Sequence, residues 1–244
     1  MIRASNSREH TNREYEQELR RLRESLLLMG AKVEDIIAGS IRALIDRDST
    51  LAEQMIAADR KINQLEMEVD ELCMQVLARR QPVASDLRFL TTAMKLVTDL
   101  ERIGDLGVNI SERVLELNGE APLKPYVDMP NMAREVQEML HEGLDAFVAA
   151  DVERAQRVIL RDRTVDAYYT QIFRELLTYM MEDPRNIFRA TRLQSIAKYL
   201  ERIGDHATNL GELVVFMVKG KDIRHGGASK LTEAKLGETK VGET

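Results

Sequence analysis

Tryptophan is absent from this sequence of 244 residues, and cysteine and proline are scarce, with one and five residues respectively. The single cysteine, Cys73, excludes an intramolecular disulfide and a cysteine-based zinc site. Five prolines and thirteen glycines are few, and this composition is typical of a protein with long helices rather than a β-sandwich or barrel. Hydrophobic residues make up 44% of the chain, which is enough for a substantial core.

The sequence also has little that would attract nucleic acid or insert into a membrane. The net charge is −6 and the pI about 5.4, so no overall basic field exists to attract nucleic acid. The polar N-terminus lacks the apolar region of a signal peptide, and the apolar run at residues 213–218 is too short to span a bilayer. We therefore predict a cytoplasmic protein that binds no nucleic acid, and a single cysteine suits a reducing compartment.

One hexapeptide occurs twice in the chain. The sequence Leu-Glu-Arg-Ile-Gly-Asp occupies residues 100–105 and again residues 200–205, and an asparagine follows each copy at the same distance, Asn109 and Asn209. Before the first copy, Asp59 and Arg60 align with the Asp-Arg pair at residues 162–163, which precedes the second copy. This similarity indicates an internal duplication.

Apolar residues recur at three- and four-residue steps through both halves, which predicts amphipathic helices. In the first half these helices begin near Glu14, turn at residues 46–49, break at Pro82 and end near residues 118–119. Asp48 or Ser49 can cap the second helix, and Ser85 or Thr92 the third. The second half predicts helices at residues 131–149, 152–181 and 186–219.

Three helices in each half, joined by short turns, predict an all-α protein of two tandem, pseudo-symmetric three-helix bundles. A segment that contains three prolines separates the two halves. The predicted boundaries are a flexible N-terminus at 1–13, a first repeat at 14–118, a linker at 119–130, a second repeat at 131–219 and a polar C-terminal tail at 220–244.

The duplicated motif places acidic side chains on one face of its helix. At about 100° per residue, Glu101 and Asp105 fall on a narrow stripe with Asn109 and Glu112. The second copy repeats this stripe, and its members are Glu201, Asp205, Asn209 and Glu212. Like charges four residues apart destabilise a helix by a few tenths of a kcal/mol, so their occurrence in both copies favours a bound cation.

The second predicted helix carries another polar stripe, which would face the first if the two helices pack side by side. Oxygen ligands from both stripes could then surround one hard cation such as Mg, Mn, Ca or iron. The fifth helix repeats only part of this stripe, because Tyr169 and Phe173 stand at the positions equivalent to Glu66 and Asp70. The candidate metal ligands are Glu101, Asp105, Glu201, Asp205, Asp59, Asn63, Glu66, Asp70, Asp162 and Asp166.

With these motifs, the chain closely resembles the PhoU family of bacterial phosphate-uptake regulators over nearly its whole length. The similarity is carried by the two hexapeptide copies and by residues 59–63 (Asp-Arg-Lys-Ile-Asn), 80–88 (Arg-Gln-Pro-Val-Ala-Ser-Asp-Leu-Arg), 179–183 (Tyr-Met-Met-Glu-Asp) and 218–225 (Val-Lys-Gly-Lys-Asp-Ile-Arg-His). The resemblance implies two similar three-helix bundles and a cytoplasmic, non-enzymatic regulator that often forms a homodimer.

The resemblance also implies partners and a cofactor. Such a regulator works between the phosphate ABC transporter, through its ATPase subunit, and the membrane-bound phosphate-sensing histidine kinase. It keeps the starvation response off when phosphate is plentiful, and it meets the membrane only through these partners. Family members bind metal ions through Glu/Asp-x-x-x-Asp motifs, which map onto Glu101 with Asp105 and onto Glu201 with Asp205. The expected cofactor is a divalent or ferric ion, either Fe, Zn, Mn or Mg.

Two other classes of function remain open at this stage. One is an enzyme that uses a carboxylate-bound metal for phosphate chemistry, although the sequence positions no base or nucleophile beside the stripes. The other is a helical scaffold without metal, in which the acidic stripes are ordinary solvated faces. A ferritin-like di-iron site is disfavoured because the stripes lack its Glu-x-x-His pattern.

Overall fold

The computed structural model describes residues 3–221, and it describes side chains from residue 13 onward. Six α-helices and one short 3-10 turn make up this part of the chain, which contains no β-strand. The elements are α1 (Arg3–Asp46), α2 (Ser49–Arg80), α3 (Ala84–Asn118), α4 (Asp128–Ala149), α5 (Val152–Glu182), the 3-10 turn (Pro184–Asn186) and α6 (Ile187–Lys219). The predictions for residues 1–2 and for the tail at 222–244 lie outside the described residues.

The turns between helices repeat from one half to the other. Asp48 caps α2 by accepting a hydrogen bond from the Leu51 amide at 3.0 Å, and Asp151 caps α5 in the same way with Arg154. Each cap follows a residue in the left-handed conformation, Arg47 in the first half and Ala150 in the second. The prediction of Asp48 as a cap is confirmed, and the duplication extends to the backbone of the turn.

Three helix starts differ from the sequence predictions. Helix α1 begins at Arg3, about ten residues before the predicted start, because residues 3–13 contain no glycine or proline to interrupt it. Helix α4 begins at Asp128, before Pro130, since a proline in the first turn removes only an amide that would have no helical partner. The predicted caps of α3 are wrong: Val83 stands at the cap position, and Thr92 lies buried within the helix.

Helices α1, α2 and α3 form one bundle and α4, α5 and α6 form the other, as the sequence predicts. The bundles meet along α3 with α6 and along α1 with α4. Asp99 on α3 contacts His206 on α6, while Glu116 near the end of α3 pairs with Arg192 near the start of α6. Helices α3 and α6 are therefore antiparallel and related by a pseudo-twofold axis.

One continuous hydrophobic cluster fills both bundles and the interface between them. Its members include Leu22 and Leu26 on α1, Leu100 on α3 and Phe147 on α4, all 1% exposed or less. Phe147 stacks on Phe89 of α3 with ring centroids 5.3 Å apart, so aromatic packing also ties the second half to the first.

The two halves differ at one pair of equivalent positions. In the first half, Ser40 on α1 and Ser111 on α3 share a buried hydrogen bond of 2.7 Å. The equivalent residues of the second half are Gly143 and Gly211. A Cβ on Gly211 would lie 2.8 Å from the carbonyl oxygen of Ala155, so α6 lies too close to α5 for a side chain at this position.

Across residues 3–221, no helix combines the length and the apolar character that a membrane crossing requires.

Candidate functional site

The acidic face of α3 packs against α2 because the motif glycine lets the helices approach. Gly104 lies inside α3, and a Cβ there would sit 2.9 Å from the Ile62 side chain and 3.3 Å from Asp59 Oδ1. In α6, a Cβ on Gly204 would lie 3.2 Å from Val165 on α5. The prediction that these glycines mark close helix contacts rather than helix ends is therefore confirmed.

Helices α2 and α3 bring five predicted carboxylates near one another, and we call them the first acidic cluster: Asp59, Glu66, Asp70, Glu101 and Asp105. Burial raises the pKa of Glu101, and the charges of Asp105, Glu66 and Asp59 raise it further. Burial likewise raises the pKa of Glu66, helped by Asp70 and Asp105. The stripes predicted on separate helices therefore face each other.

Asp59 is the member of the first acidic cluster that has a buried oxygen without a partner among the described residues. Its Oδ2 accepts a hydrogen bond from the Asn63 amide at 2.9 Å. Its Oδ1 is buried without a hydrogen-bond partner. Burial, followed by the charge of Asp105, raises the pKa of this carboxyl. A buried acceptor with no donor is uncommon in folded proteins and favours an additional positive group at this place.

Helices α5 and α6 carry the corresponding second acidic cluster, which consists of Asp162, Asp166, Glu201 and Asp205. Burial and the charges of Glu201 and Asp162 raise the pKa of Asp205 to about 6. Burial and the charge of Asp166 raise the pKa of Asp162. All the predicted carboxylates of the second half thus lie within electrostatic reach of one another.

The second acidic cluster has its own cation, which the sequence reasoning missed. Lys198 Nζ donates a hydrogen bond of 2.5 Å to Glu201 and lies 5.4 Å from the centre of the Tyr169 ring. Thr98 stands at the equivalent position of the first half. The three-residue spacing of Lys198 and Glu201 is the signal that could have revealed this pair.

The carboxylates of each cluster repel one another without converging on one point. Among the side chains of residues 13–221, no three from His, Cys, Asp and Glu are arranged to hold a metal ion together. The metal site predicted from the stripes stays a prediction, and it would require the side chains to turn toward a common centre.

Two residues assigned to the second stripe lie elsewhere. Glu212 is buried, with 7% of its surface exposed. Asn209 lines a cleft between α3 and α6, which we call the interbundle cleft, with a volume of about 590 Å³. At about 80° from Glu201 on the helix, Asn209 lies where the acidic face meets the face that packs on α3. The residues that line the interbundle cleft are Thr91, Met94, Lys95, Thr98, Asp99, Arg102, Asn209 and Leu213.

The sequence is similar to that of a known protein family and of several of its members. A family model described as the PhoU domain matches residues 26–114 and again residues 129–214. A phosphate-specific transport system accessory protein PhoU homolog of Pseudomonas aeruginosa PAO1 is 44% identical over 235 residues, which cover 96% of this chain and 97% of the relative. The accessory protein PhoU of Escherichia coli K12 is 36% identical over 233 residues, again covering 96% and 97%.

Two solved PhoU structures are similar to this chain in fold as well as in sequence. The crystal structure of PhoU from Pseudomonas aeruginosa has a TM-score of 0.81 and 46% sequence identity, and the match covers 85% of this chain and all of that one. The phosphate transport system regulatory protein PhoU from Streptococcus pneumoniae gives a TM-score of 0.79 at 30% identity, covering 85% and 98%. These relatives are named as accessory or regulatory proteins and not as enzymes. The chain therefore belongs to the PhoU family, with one PhoU domain in each of its two helical bundles.

Proposed function

We propose that this chain is a non-enzymatic accessory protein that regulates phosphate-specific transport. The observation that carries the proposal is the 44% identity to a PhoU homolog, which extends over 96% of this chain and 97% of that relative. Similarity over both domains supports a shared role of the whole molecule, whereas a single matched domain would support only a shared fold.

In the finer form of the proposal, the protein couples the ATPase subunit of the phosphate ABC transporter to the phosphate-sensing histidine kinase. It would act in the cytoplasm as a homodimer, reach the membrane only through these partners and keep the starvation response off when phosphate is plentiful. Such a regulator works by binding and needs exposed surface for its partners.

The turns at the end of each bundle offer such surface. Near the α2–α3 turn, Val83 and Leu87 are 71% and 43% exposed. Near the α5–α6 turn, Met181, Ile187 and Phe188 are 85%, 47% and 43% exposed. Apolar side chains grouped on a surface are typical of sites that bind other proteins, and their presence in both halves supports a protein-binding role.

Deleting the gene tests the regulatory role. We expect a reporter of the phosphate-starvation response to become active in the deletion strain at high phosphate, and the wild-type gene to restore repression. A pull-down with the wild-type protein, from cells grown at high and at low phosphate, should retain the histidine kinase or the transporter ATPase more strongly at high phosphate. Normal repression in the deletion strain would contradict the proposal.

We further propose that a divalent or ferric ion, either Fe, Zn, Mn or Mg, binds the acidic clusters. In the first half Glu101 and Asp105 would hold it, with Asp59, Asn63, Glu66 and Asp70 in support. In the second half Glu201 and Asp205 would hold it, with Asp162 and Asp166. The unpartnered Oδ1 of Asp59 and the raised pKa values of the carboxyls fit a cation in charge and in kind of donor.

A bound cation would supply positive charge between two packed helices and so link α2 to α3, or α5 to α6. Because no three ligands among the described side chains are already gathered, side-chain rotation must accompany binding. The direct test is metal analysis of protein purified without a chelator or a histidine tag. A wild-type protein that contains no metal, and does not take it up when it is added, would contradict this part of the proposal and leave the regulatory part standing.

A further inference from the structure

The interbundle cleft lies outside the acidic clusters and has the opposite balance of charge. Its wall on α3 carries Lys95 and Arg102 at one face of the helix, with Asp99 between them. Asp99 Oδ1 is 2.8 Å from His206 Nδ1 on α6, so this carboxylate already has a partner. The cleft is therefore locally cationic on a protein whose net charge is −6.

The two cationic side chains are available to a ligand. Among the described residues, Arg102 forms no hydrogen bond and no ion pair, although its charge acts on the neighbouring Glu101. Lys95 Nζ lies 5.6 Å from the centre of the Phe216 ring, a contact that leaves its three N–H donors free. Residues 95 and 102 are seven positions apart, so the two cations lie on one side of α3, about 10 Å apart along its axis.

The pseudo-twofold axis generates a second groove, and its side chains differ from those of the interbundle cleft. Arg202 and Asn109 repeat Arg102 and Asn209. However, Gln194, Tyr199 and Arg113 replace the residues equivalent to Met94, Asp99 and Leu213. Arg113 is held in its place by Glu112 and Glu116, the latter at 2.8 Å. The lining of the interbundle cleft, with Lys95 where the second groove has Ser195, is therefore a feature of one groove.

The size and lining of the cleft favour an organic anion over an inorganic ion. A volume of about 590 Å³ lies within the range of roughly 300–1,000 Å³ that is usual for small-molecule sites. Met94 and Leu213 provide apolar wall, which a bare ion would not use. A guanidinium donates two parallel hydrogen bonds to a phosphate, and the Asn209 amide can add another from the opposite helix.

We propose that the interbundle cleft binds a small phosphate monoester. Arg102 and Asn209 hold its phosphate, Lys95 adds positive charge, and its organic part contacts Met94 and Leu213. Because Arg102 belongs to the first bundle and Asn209 to the second, the bound ester connects the two halves of the chain. This site is separate from both acidic clusters and is not part of the function proposed above.

The test is isothermal titration of the full-length protein with four probes: AMP, glucose 6-phosphate, inorganic phosphate and citrate. We expect at least one of the two esters to bind more tightly than inorganic phosphate and citrate, with a dissociation constant below 1 mM. If neither ester binds in that range, or if citrate binds as tightly as the better ester, the proposal is wrong.

Matched variants locate the binding. Arg102→Gln should weaken ester binding about tenfold or more, because it removes charged hydrogen bonds to the phosphate. Arg202→Gln changes the equivalent exposed residue of the second groove and should leave the affinity unchanged. Asn209→Ala should weaken binding and Asn109→Ala should not. Equal losses in both members of a pair would overturn the assignment, and far-ultraviolet circular dichroism verifies that each variant keeps its helix content.

Discussion

The two halves of the molecule carry the same hexapeptide in different electrostatic surroundings. In the first half, Glu101 and Asp105 face three more carboxylates of α2, and Thr98 stands one turn before them. In the second half, Lys198 replaces that threonine and bonds Glu201. Tyr169 replaces a glutamate and lies beneath the Lys198 ammonium.

The duplicated motif therefore determines how closely the helices pack, whereas residues outside the motif determine the net charge around its carboxylates. Gly104 and Gly204 give both halves a close helix contact, so the acidic faces meet in each. Whether the carboxylates then need an external cation depends on residues outside the motif. The second half has a cation in its own chain, so the first half is expected to depend more strongly on metal.

The largest expected effect is a difference in metal-dependent stability. A metal at 100 times its dissociation constant that binds only the folded state stabilises it by about 2.7 kcal/mol. Glu101→Gln with Asp105→Asn should remove most of the rise in melting temperature and lower the metal content. The matched control, Glu201→Gln with Asp205→Asn, should remove less. Thermal melts with and without metal measure the rise in melting temperature, and metal analysis measures the metal content. If neither quantity changes after both clusters are neutralised, the clusters are ordinary solvated faces.

The next largest difference between the halves is expected from a substitution at Gly211, where α6 packs on the backbone of α5. Gly211→Ala should destabilise the protein by about 1–3 kcal/mol, because the new Cβ meets the Ala155 carbonyl and backbone must move. Ser111→Ala at the equivalent site should cost about 1 kcal/mol, since Ser40 keeps its contact with the Ile36 carbonyl. Urea unfolding measures both. A Gly211→Ala variant as stable as the wild type would mean that α6 can shift freely against α5.

Removing the internal cation should have a smaller effect. Lys198→Met should lower the stability of metal-free protein by about 0.5–1 kcal/mol at low salt, because Glu201 loses its partner and the ammonium is partly exposed. Thr98→Met changes no charge and is the matched control. High salt should reduce the loss. A loss that is the same at low and high salt would indicate a packing effect instead of an electrostatic one.

The smallest expected effect is a pH dependence in the second acidic cluster. The folded protein raises the pKa of Asp205 from 3.8 to about 6, so the folded state binds the proton more tightly than the unfolded state. Stability from this group is therefore present at low pH and is lost as the pH rises from about 4 to about 6. Relative to wild type, Asp205→Asn should gain stability across that range, by no more than about 1 kcal/mol because the carboxylate is only partly buried and solvent screens its charge. Urea unfolding at pH 4 and pH 7 measures the free energy of unfolding of the variant and of the wild type. A difference between the two proteins that is equal at both pH values would contradict the prediction.

Much of this architecture follows from the sequence because its signals are local. Apolar periodicity predicts the helices, Asp48 predicts a cap, and the spacing of Glu101 and Asp105 predicts an acidic face. The facing stripe on α2 follows from the same periodicity once short turns force α2 and α3 together. In each case the prediction needs only neighbours along one helix or across one turn.

The features that sequence reasoning missed depend on contacts between distant segments. The position of Lys198 above Tyr169 requires the packing of α6 on α5. The interbundle cleft requires the packing of α3 on α6, which brings Arg102 near Asn209. Helical angles alone could not assign Asn209, because it lies on the border between two faces that contact different neighbours.

The antiparallel pairing of α3 with α6 has the form of a symmetric dimer joined into one chain. In a dimer of identical subunits, every substitution at the interface appears twice, so both grooves must change together. A covalent link between the halves removes this constraint. Leu213 can then line one groove while Arg113 stands at the equivalent place in the other, and Lys198 can enter one acidic cluster without entering its twin. Gene fusion thus gives a duplicated protein two independent sites where a homodimer would have one site repeated.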